Sequence, residues 1–218
     1  MLDRIRAGWR RWEDGELANE YQRPALAVDG PGGRGFVVGG GAPIAEVELR
    51  SLSVTYHGLA RREPAARAKG PVAGSSRVAL WLGGGLLAFT GEDGHTIGPG
   101  QVETTPAGLT LVDTGSWSAR TLDRTANSAV YASGTLLAMA HALSQKLTRG
   151  IGLIGFDRDG SRRFHLFGSE PVAVLERLDE RVFVEAGGVT RGVDVRRASF
   201  VRVPRELPQL LVGSMQRW

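Results

Sequence analysis

The side chains that most often do chemistry in proteins are spread thinly along this sequence. The four histidines, His57, His95, His141 and His165, lie far apart, and none forms the close pair by which a helix or hairpin holds zinc. The chain contains no cysteine, which excludes thiolate metal sites, disulfides and cysteine nucleophiles. We therefore expect neither a metal site nor a cofactor.

Patterns for nucleophilic and carboxylate catalysis are equally weak. No Gly-x-Ser-x-Gly pentapeptide occurs, so the sharp elbow that presents a catalytic serine is not encoded. Asp157 and Asp159 form a carboxylate pair that a tight turn explains, and the twelfth position of a calcium loop starting there would be Gly168. We predict no catalytic residues. An enzyme whose site is assembled from scattered residues is kept as an alternative, with the candidates His57, His95, Asp113 and Asp123.

Arginine is the strongest chemical signal. Of the 27 basic residues only Lys69 and Lys146 are lysine, which leaves 25 arginines, and the net charge is +4. Guanidinium groups beside aromatic rings suit phosphate contact combined with base stacking. Nucleic acid is therefore the favoured acidic partner, although a GC-rich genome or a solvated strand face also explains arginines. The candidate nucleic-acid-binding residues are Arg10, Arg11, Arg61, Arg62, Arg67, Arg162, Arg163, Arg196, Arg197 and Arg202.

The elements that must position these residues are mainly short strands. The 31 glycines mark turns that recur every 8 to 12 residues, as in sandwiches and barrels. The sequence predicts a mainly β protein, a sandwich or partly closed small barrel. Residues 36–41 and 47–50 resemble residues 183–188 and 193–196, with offsets that differ by one residue, so an internal duplication stays open as an alternative.

Two helices are also expected. Leu2, Ile5, Trp9 and Trp12 have helical spacing within residues 1–22, and Pro24 ends that helix. A second, buried helix is predicted near residues 127–148 from an apolar run with plausible N-cap residues. The expected order is an N-terminal amphipathic helix, a first β-rich half, the buried helix, a second β-rich half and an apolar tail: 1–22, 25–126, 127–148, 150–204 and 205–218.

The resulting hypothesis is a non-catalytic binding or assembly module that engages an acidic partner and also forms a homo-oligomer or larger assembly through its terminal segments. The candidate protein-interface residues are Trp9, Trp12, Leu211 and Trp218. Three alternatives stay open for the N-terminal segment: a lipid-surface anchor, a helix in a partner's groove, and a cover for the protein's own sheet. No run approaches the ~18 apolar residues of a membrane span, so we expect a cytoplasmic location without integral membrane association.

Overall fold

The computed structural model describes residues 24–39, 43–57, 72–98, 101–140, 150–178 and 180–203. The described strands form four antiparallel sheets. The prediction of a mainly β protein is confirmed. The chain divides into two compact units, Met1–Ala129 and Val130–Trp218, and the boundary falls within a strand.

The first unit contains two sheets. Sheet 1 is a simple meander of β1 (Ala25–Asp29), β2 (Arg34–Val38), β3 (Ile44–Glu48) and β4 (Val54–His57). Sheet 2 has the order β5-β6-β8-β9, and β7 pairs with β6. Its strands are β5 (Val72–Gly83), β6 (Leu86–Gly98), β7 (Gln101–Pro106), β8 (Leu109–Asp113) and β9 (Ser118–Asp123).

The second unit contains the other two sheets, both simple meanders. Sheet 3 consists of β10 (Ser128–Ala132), whose first two residues precede the boundary, β11 (Thr135–Met139), β12 (Leu153–Asp157) and β13 (Arg162–Leu166). Sheet 4 consists of β14 (Val172–Leu178), β15 (Arg181–Ala186), β16 (Val189–Asp194) and β17 (Ser199–Val201).

In each unit two sheets pack through apolar faces, which fits the expected sandwich. The core of the first unit joins Phe36, Val38 and Ile44 of sheet 1 to Leu87 and Val112 of sheet 2. The core of the second unit joins sheet 3 to a run of buried valines in sheet 4. Its buried members are Ala132, Leu137, Met139, Leu153, Val172, Val182, Val184, Ala186, Val193 and Val195. No sheet among the described strands closes on itself into a barrel.

The buried helix predicted near residues 127–148 is wrong where the structure describes it. Residues 128–139 form the β10–β11 hairpin instead, and the described residues contain no helix. Residues 135–140 are buried without interruption, and a continuous apolar run fits a buried strand as well as a buried helix. The deciding signal is the dipeptide Ser133-Gly134, whose φ angles of 49° and 78° suit a two-residue hairpin turn.

Two further segments are each divided into two strands by a turn. Residues 44–56 form β3 and β4 around a turn, and residues 192–203 contain β16 and β17 around a turn at 195–198. Both turns resemble the β8–β9 turn. Each has an acid at its first position and a serine five residues later, with a left-handed residue between them. The left-handed residues are Leu52 (φ 58°), Trp117 (φ 55°) and Ala198 (φ 52°).

Several predicted segments lie outside the described residues. They are the N-terminal helix at 1–22, positions 141–148 of the second helix and the apolar tail at 205–218. Within the described part of the chain, no helix is long and apolar enough to cross a membrane.

Candidate functional site

The described candidate arginines all belong to the second unit. Arg162 and Arg163 begin β13, Arg196 and Arg197 lie in the β16–β17 turn, and Arg202 follows β17; all five are exposed. Arg196 and Arg197 are turn residues, so the strand alternation that would have pointed them to opposite faces does not apply. The other candidates, Arg10, Arg11, Arg61, Arg62 and Arg67, lie outside the described residues.

Arg163 brings two of these segments together. Its guanidinium donates to Thr135 Oγ1 at 2.8 Å and to the backbone carbonyl of Arg196 at 2.9 Å, and it lies 3.3 Å from a carboxylate oxygen of Asp157. The start of β13 therefore lies against the β16–β17 turn. We call Arg162, Arg163, Arg196 and Arg197 the arginine cluster.

Acidic side chains neutralise part of the arginine cluster. Arg196 forms an ion pair with Glu180 at 2.7 Å, and Arg163 is engaged by Asp157. The guanidinium groups of Arg162 and Arg197 have no partner among the described residues. These two side chains are therefore the available cations of the cluster.

Strand β17, which follows the turn that carries Arg196 and Arg197, presents an exposed aromatic ring. Phe200 is 61% exposed and packs edge-on against Phe167, with ring centroids 5.4 Å apart. Val193 lies opposite Phe200 in the β16–β17 register, so strand alternation directs Arg191 and Phe200 to the same face. An open pocket of about 180 Å³ adjoins them, lined by Thr190, Arg191, Gly192, Phe200, Val201 and Val203. A ring and a guanidinium on one face suit base stacking beside a phosphate contact.

The first unit contains a network of three charged side chains and one histidine that the sequence alone did not indicate. Arg34 bridges Asp29 at 3.0 Å and Glu46 at 3.1 Å, and the other oxygen of Glu46 lies 2.8 Å from His57 Nε2. The hydrogen bond to Asp29, and then the interactions with Glu46, raise the pKa of Arg34 above its ordinary value, although desolvation opposes this. Arg34 therefore stays charged at every working pH.

Aromatic rings pack against the side chains of this network. The Arg34 guanidinium lies 5.5 Å from the centroid of Phe36 and 5.7 Å from that of Trp81, within cation–π range. The His57 ring stacks on Trp117 with an interplanar angle of 8°. The network thus ties all four strands of sheet 1 to β5 and to the β8–β9 turn, and its charged groups are engaged with one another. The signal that would have revealed it is strand alternation, which places Asp29, Arg34 and Glu46 on the same face as Phe36.

Three of the four residues considered as candidates for an enzyme's site interact with nearby side chains or backbone, and the side chain of the fourth is not described. Asp113 accepts hydrogen bonds from the backbone of Ser116 and Gly115, which lower its pKa. Asp123 accepts from Thr125 and from the backbone of Ala126. His57 belongs to the charged network, and the side chain of His95 is not described. None of the four lines the pocket beside Phe200. Among the described residues, no group of three or more His, Asp or Glu is placed to hold a metal ion.

Comparisons with known proteins give distant likenesses in fold. No protein-family model matches the chain, and neither does a curated protein. Two similar solved structures come from B. thetaiotaomicron. The extracellular domain of a protein described as a one-component system has a TM-score of 0.49 and 12% identity, over 86% of this chain and 24% of that chain. The extracellular domain of one described as a hybrid two-component system has a TM-score of 0.45 and 6% identity, over 86% and 25%.

A third similar structure, YCF48 bound to a D1 peptide, has a TM-score of 0.30 and 13% identity, over 81% of this chain and 64% of that chain. The chain thus spans about a quarter of the first two structures and less than two thirds of the third. The cytoplasmic location expected from the sequence is contradicted by the first two matches, because both are extracellular domains.

Proposed function

We propose that the protein is a non-catalytic binding module that engages nucleic acid through the arginines of its second unit. The contact between Arg163 and the Arg196 carbonyl carries this proposal, because it gathers arginines from two separate segments on one surface. Clustered guanidinium groups contact successive phosphates more effectively than the same charges spread over a fold.

The exposed ring of Phe200 favours single-stranded nucleic acid as the partner. Phe200 presents a largely exposed ring on the same face as Arg191, and Arg202 follows two residues later. Stacking a base on such a ring contributes about 1–3 kcal/mol and tolerates any base sequence. Unpaired bases are free to stack in this way, whereas those of a duplex are not.

The charge balance sets the expected strength of binding. Arg162, Arg191, Arg197 and Arg202 are exposed and have no side-chain partner among the described residues, whereas Asp157 and Glu180 occupy Arg163 and Arg196. About four phosphate contacts give a moderate, sequence-independent affinity with a clear dependence on salt.

Fluorescence anisotropy of labelled single- and double-stranded DNA, titrated with protein at several salt concentrations, tests the proposal. Replacing Arg197 with alanine should weaken binding to all sequences and reduce the salt slope by about 0.7, the value for one lost contact with a single strand. The substitution Phe200→Ala should weaken single-strand binding by roughly tenfold and leave the salt slope unchanged.

The substitution Arg120→Ala is the matched control. Arg120 is an exposed arginine of β9 in the first unit, and it has no side-chain partner among the described residues. Its replacement should change neither affinity nor slope. Equal losses in all three variants would show that net charge, and not this surface, binds the strand. Absence of binding even at low salt would overturn the proposal.

The C-terminal segment is proposed to make protein contacts within a homo-oligomer or larger assembly. Leu211 and Trp218, the C-terminal candidates, lie outside the described residues. Removing residues 205–218 should lower self-association while the β core stays folded. An unchanged sedimentation profile would contradict this part.

The internal similarity noted in the sequence is proposed to reflect repetition at the level of single sheets. Its two copies begin in β2 and β15, each the second strand of a four-stranded meander, and continue in β3 and β16, each the third. The shared turn pattern also occurs at β8–β9, which supports more than two copies. A four-stranded meander is the unit that propeller-type folds repeat.

A further inference from the structure

The outward face of sheet 1 has no charged side chain on any of its four strands, and its one hydroxyl is that of Tyr56. The register pairs Val28 with Gly35, Val37 with Ala45, and Ala45 with Tyr56, and it thereby defines one continuous face. The residues of this outward face are Leu26, Val28, Gly35, Val37, Ala45, Val47, Val54 and Tyr56. Leu49 joins them at one end, because a Cβ built on Gly35 would lie 3.4 Å from Leu49 and 3.6 Å from Leu26.

The two outer strands of this outward face are exposed, while Gly35 and Ala45 at its centre are buried. Leu26 is 62% exposed, Tyr56 49% and Val54 43%. Six of the nine large hydrophobic residues exposed in the described structure belong to sheet 1 or its β3–β4 turn: Leu26, Val28, Leu49, Leu52, Val54 and Tyr56. A contiguous apolar surface of this kind marks a contact site.

The distribution of charge across sheet 1 points the same way. Asp29, Arg34, Glu46 and His57 all lie on the inward face, where they contact one another beside the core. An antiparallel sheet with one solvated face normally carries its polar residues outward. In sheet 1 the outward positions instead have the composition of a buried face.

The size of the outward face indicates what covers it. Four strands spaced about 4.8 Å apart, with about four residues of about 3.4 Å each, have a footprint of about 200–270 Å². A stable dimer of standard size buries about 800 Å² on each partner. The face is therefore too small to hold a second copy by itself, but it matches one short segment of chain.

Residues 1–23 directly precede β1, the strand that carries Leu26 and Val28, and their apolar residues Leu2, Ile5, Trp9 and Trp12 form the stripe described above. The face is about 14 Å across, and twelve residues span about 18 Å as a helix or about 40 Å extended, so Trp12 reaches it in either conformation. A tether this short gives an effective concentration of about millimolar order.

We propose that the N-terminal segment, residues 1–23, docks on the outward face of sheet 1 of its own chain, with Trp9 and Trp12 as anchors. This contact is independent of nucleic-acid binding, which involves the second unit.

Limited trypsin digestion of the full chain tests the docking, because the segment contains Arg4, Arg6, Arg10 and Arg11. Docking protects these sites in the wild type. The substitution Val54→Asp places a charge on the face without burying it, since Val54 is 43% exposed. This substitution should accelerate cleavage within the N-terminal segment roughly tenfold, because the rate of cleavage there follows the population of the undocked form.

The substitution Val189→Asp is the matched control, because Val189 is a similarly exposed valine (50%) of the second unit. Its cleavage rate should equal that of the wild type. Circular dichroism confirms that each variant keeps its β structure, and Tyr56→Ser provides an uncharged second variant. Equally fast cleavage of wild type and Val54→Asp would overturn the proposal. Protection that disappears on dilution would also overturn it, in favour of a second copy as the occupant.

Discussion

Replacing Arg34 with methionine tests how strongly the charged network holds the first unit. Methionine keeps the length and apolar contacts of the side chain but removes its hydrogen bonds to Asp29 and Glu46 and leaves two carboxylates without their shared cation. Each such bond contributes about 1.5–3 kcal/mol when well buried. The Arg34 side chain is 33% exposed, so solvent screening reduces these values.

Cation–π contacts with Phe36 and Trp81 add about 0.5–1 kcal/mol. Because these contributions overlap, the expected loss of unfolding free energy is about 2–3 kcal/mol. At a urea m value of about 1–3 kcal/mol/M, this lowers the midpoint by about 0.7–3 M.

Urea unfolding followed by tryptophan fluorescence measures this loss, since Trp81 and Trp117 both contact the core of the first unit. The control Arg120→Met, at an exposed arginine without a side-chain partner among the described residues, should stay within about 0.5 kcal/mol of wild type. If Arg34→Met is no less stable than the control, the network does not stabilise the fold and the reasoning is refuted.

Two further predictions concern backbone and turn chemistry. Gly155→Ala should lower the free energy of unfolding in urea by about 1–3 kcal/mol, because the new methyl group would overlap the ring of Phe164. When Phe164→Ala is added, the double variant should lose less unfolding free energy than the sum of the two single variants. The pKa of Asp113 is held below its ordinary value, chiefly by the backbone N–H of Ser116, so its stabilisation is present above the unfolded pKa and is lost as the pH falls through the folded value. Thermal unfolding should therefore show Asp113→Asn less stable than wild type near pH 7, with a difference that narrows below about pH 4; a difference independent of pH would contradict the hydrogen-bonded carboxylate.

The fold could be predicted from the sequence where the residues within a turn are sufficient to specify it. Asp157 and Asp159 indicated the tight turn that joins β12 to β13, because turn chemistry needs no distant partner. The run at 135–140 misled because burial on both sides removes the alternation that distinguishes a strand from a helix.

The candidate site could be predicted only in part. Arg162, Arg163, Arg196 and Arg197 were visible as pairs, but the hydrogen bond between Arg163 and Arg196 spans 33 positions and depends on tertiary packing. The charged network of sheet 1 depends on register, because Asp29 and Glu46 face Arg34 only when β1, β2 and β3 pair as observed.

The salt dependence of single-stranded DNA binding tests the proposed function most directly. With Arg162, Arg191, Arg197 and Arg202 each contacting a phosphate, the slope of log affinity against log salt should lie at about −2 to −3, from about −0.7 per contact. Anisotropy of a labelled oligonucleotide measures it on the unmodified chain. A slope in that range supports the arginine surface, whereas no binding at the lowest salt contradicts it.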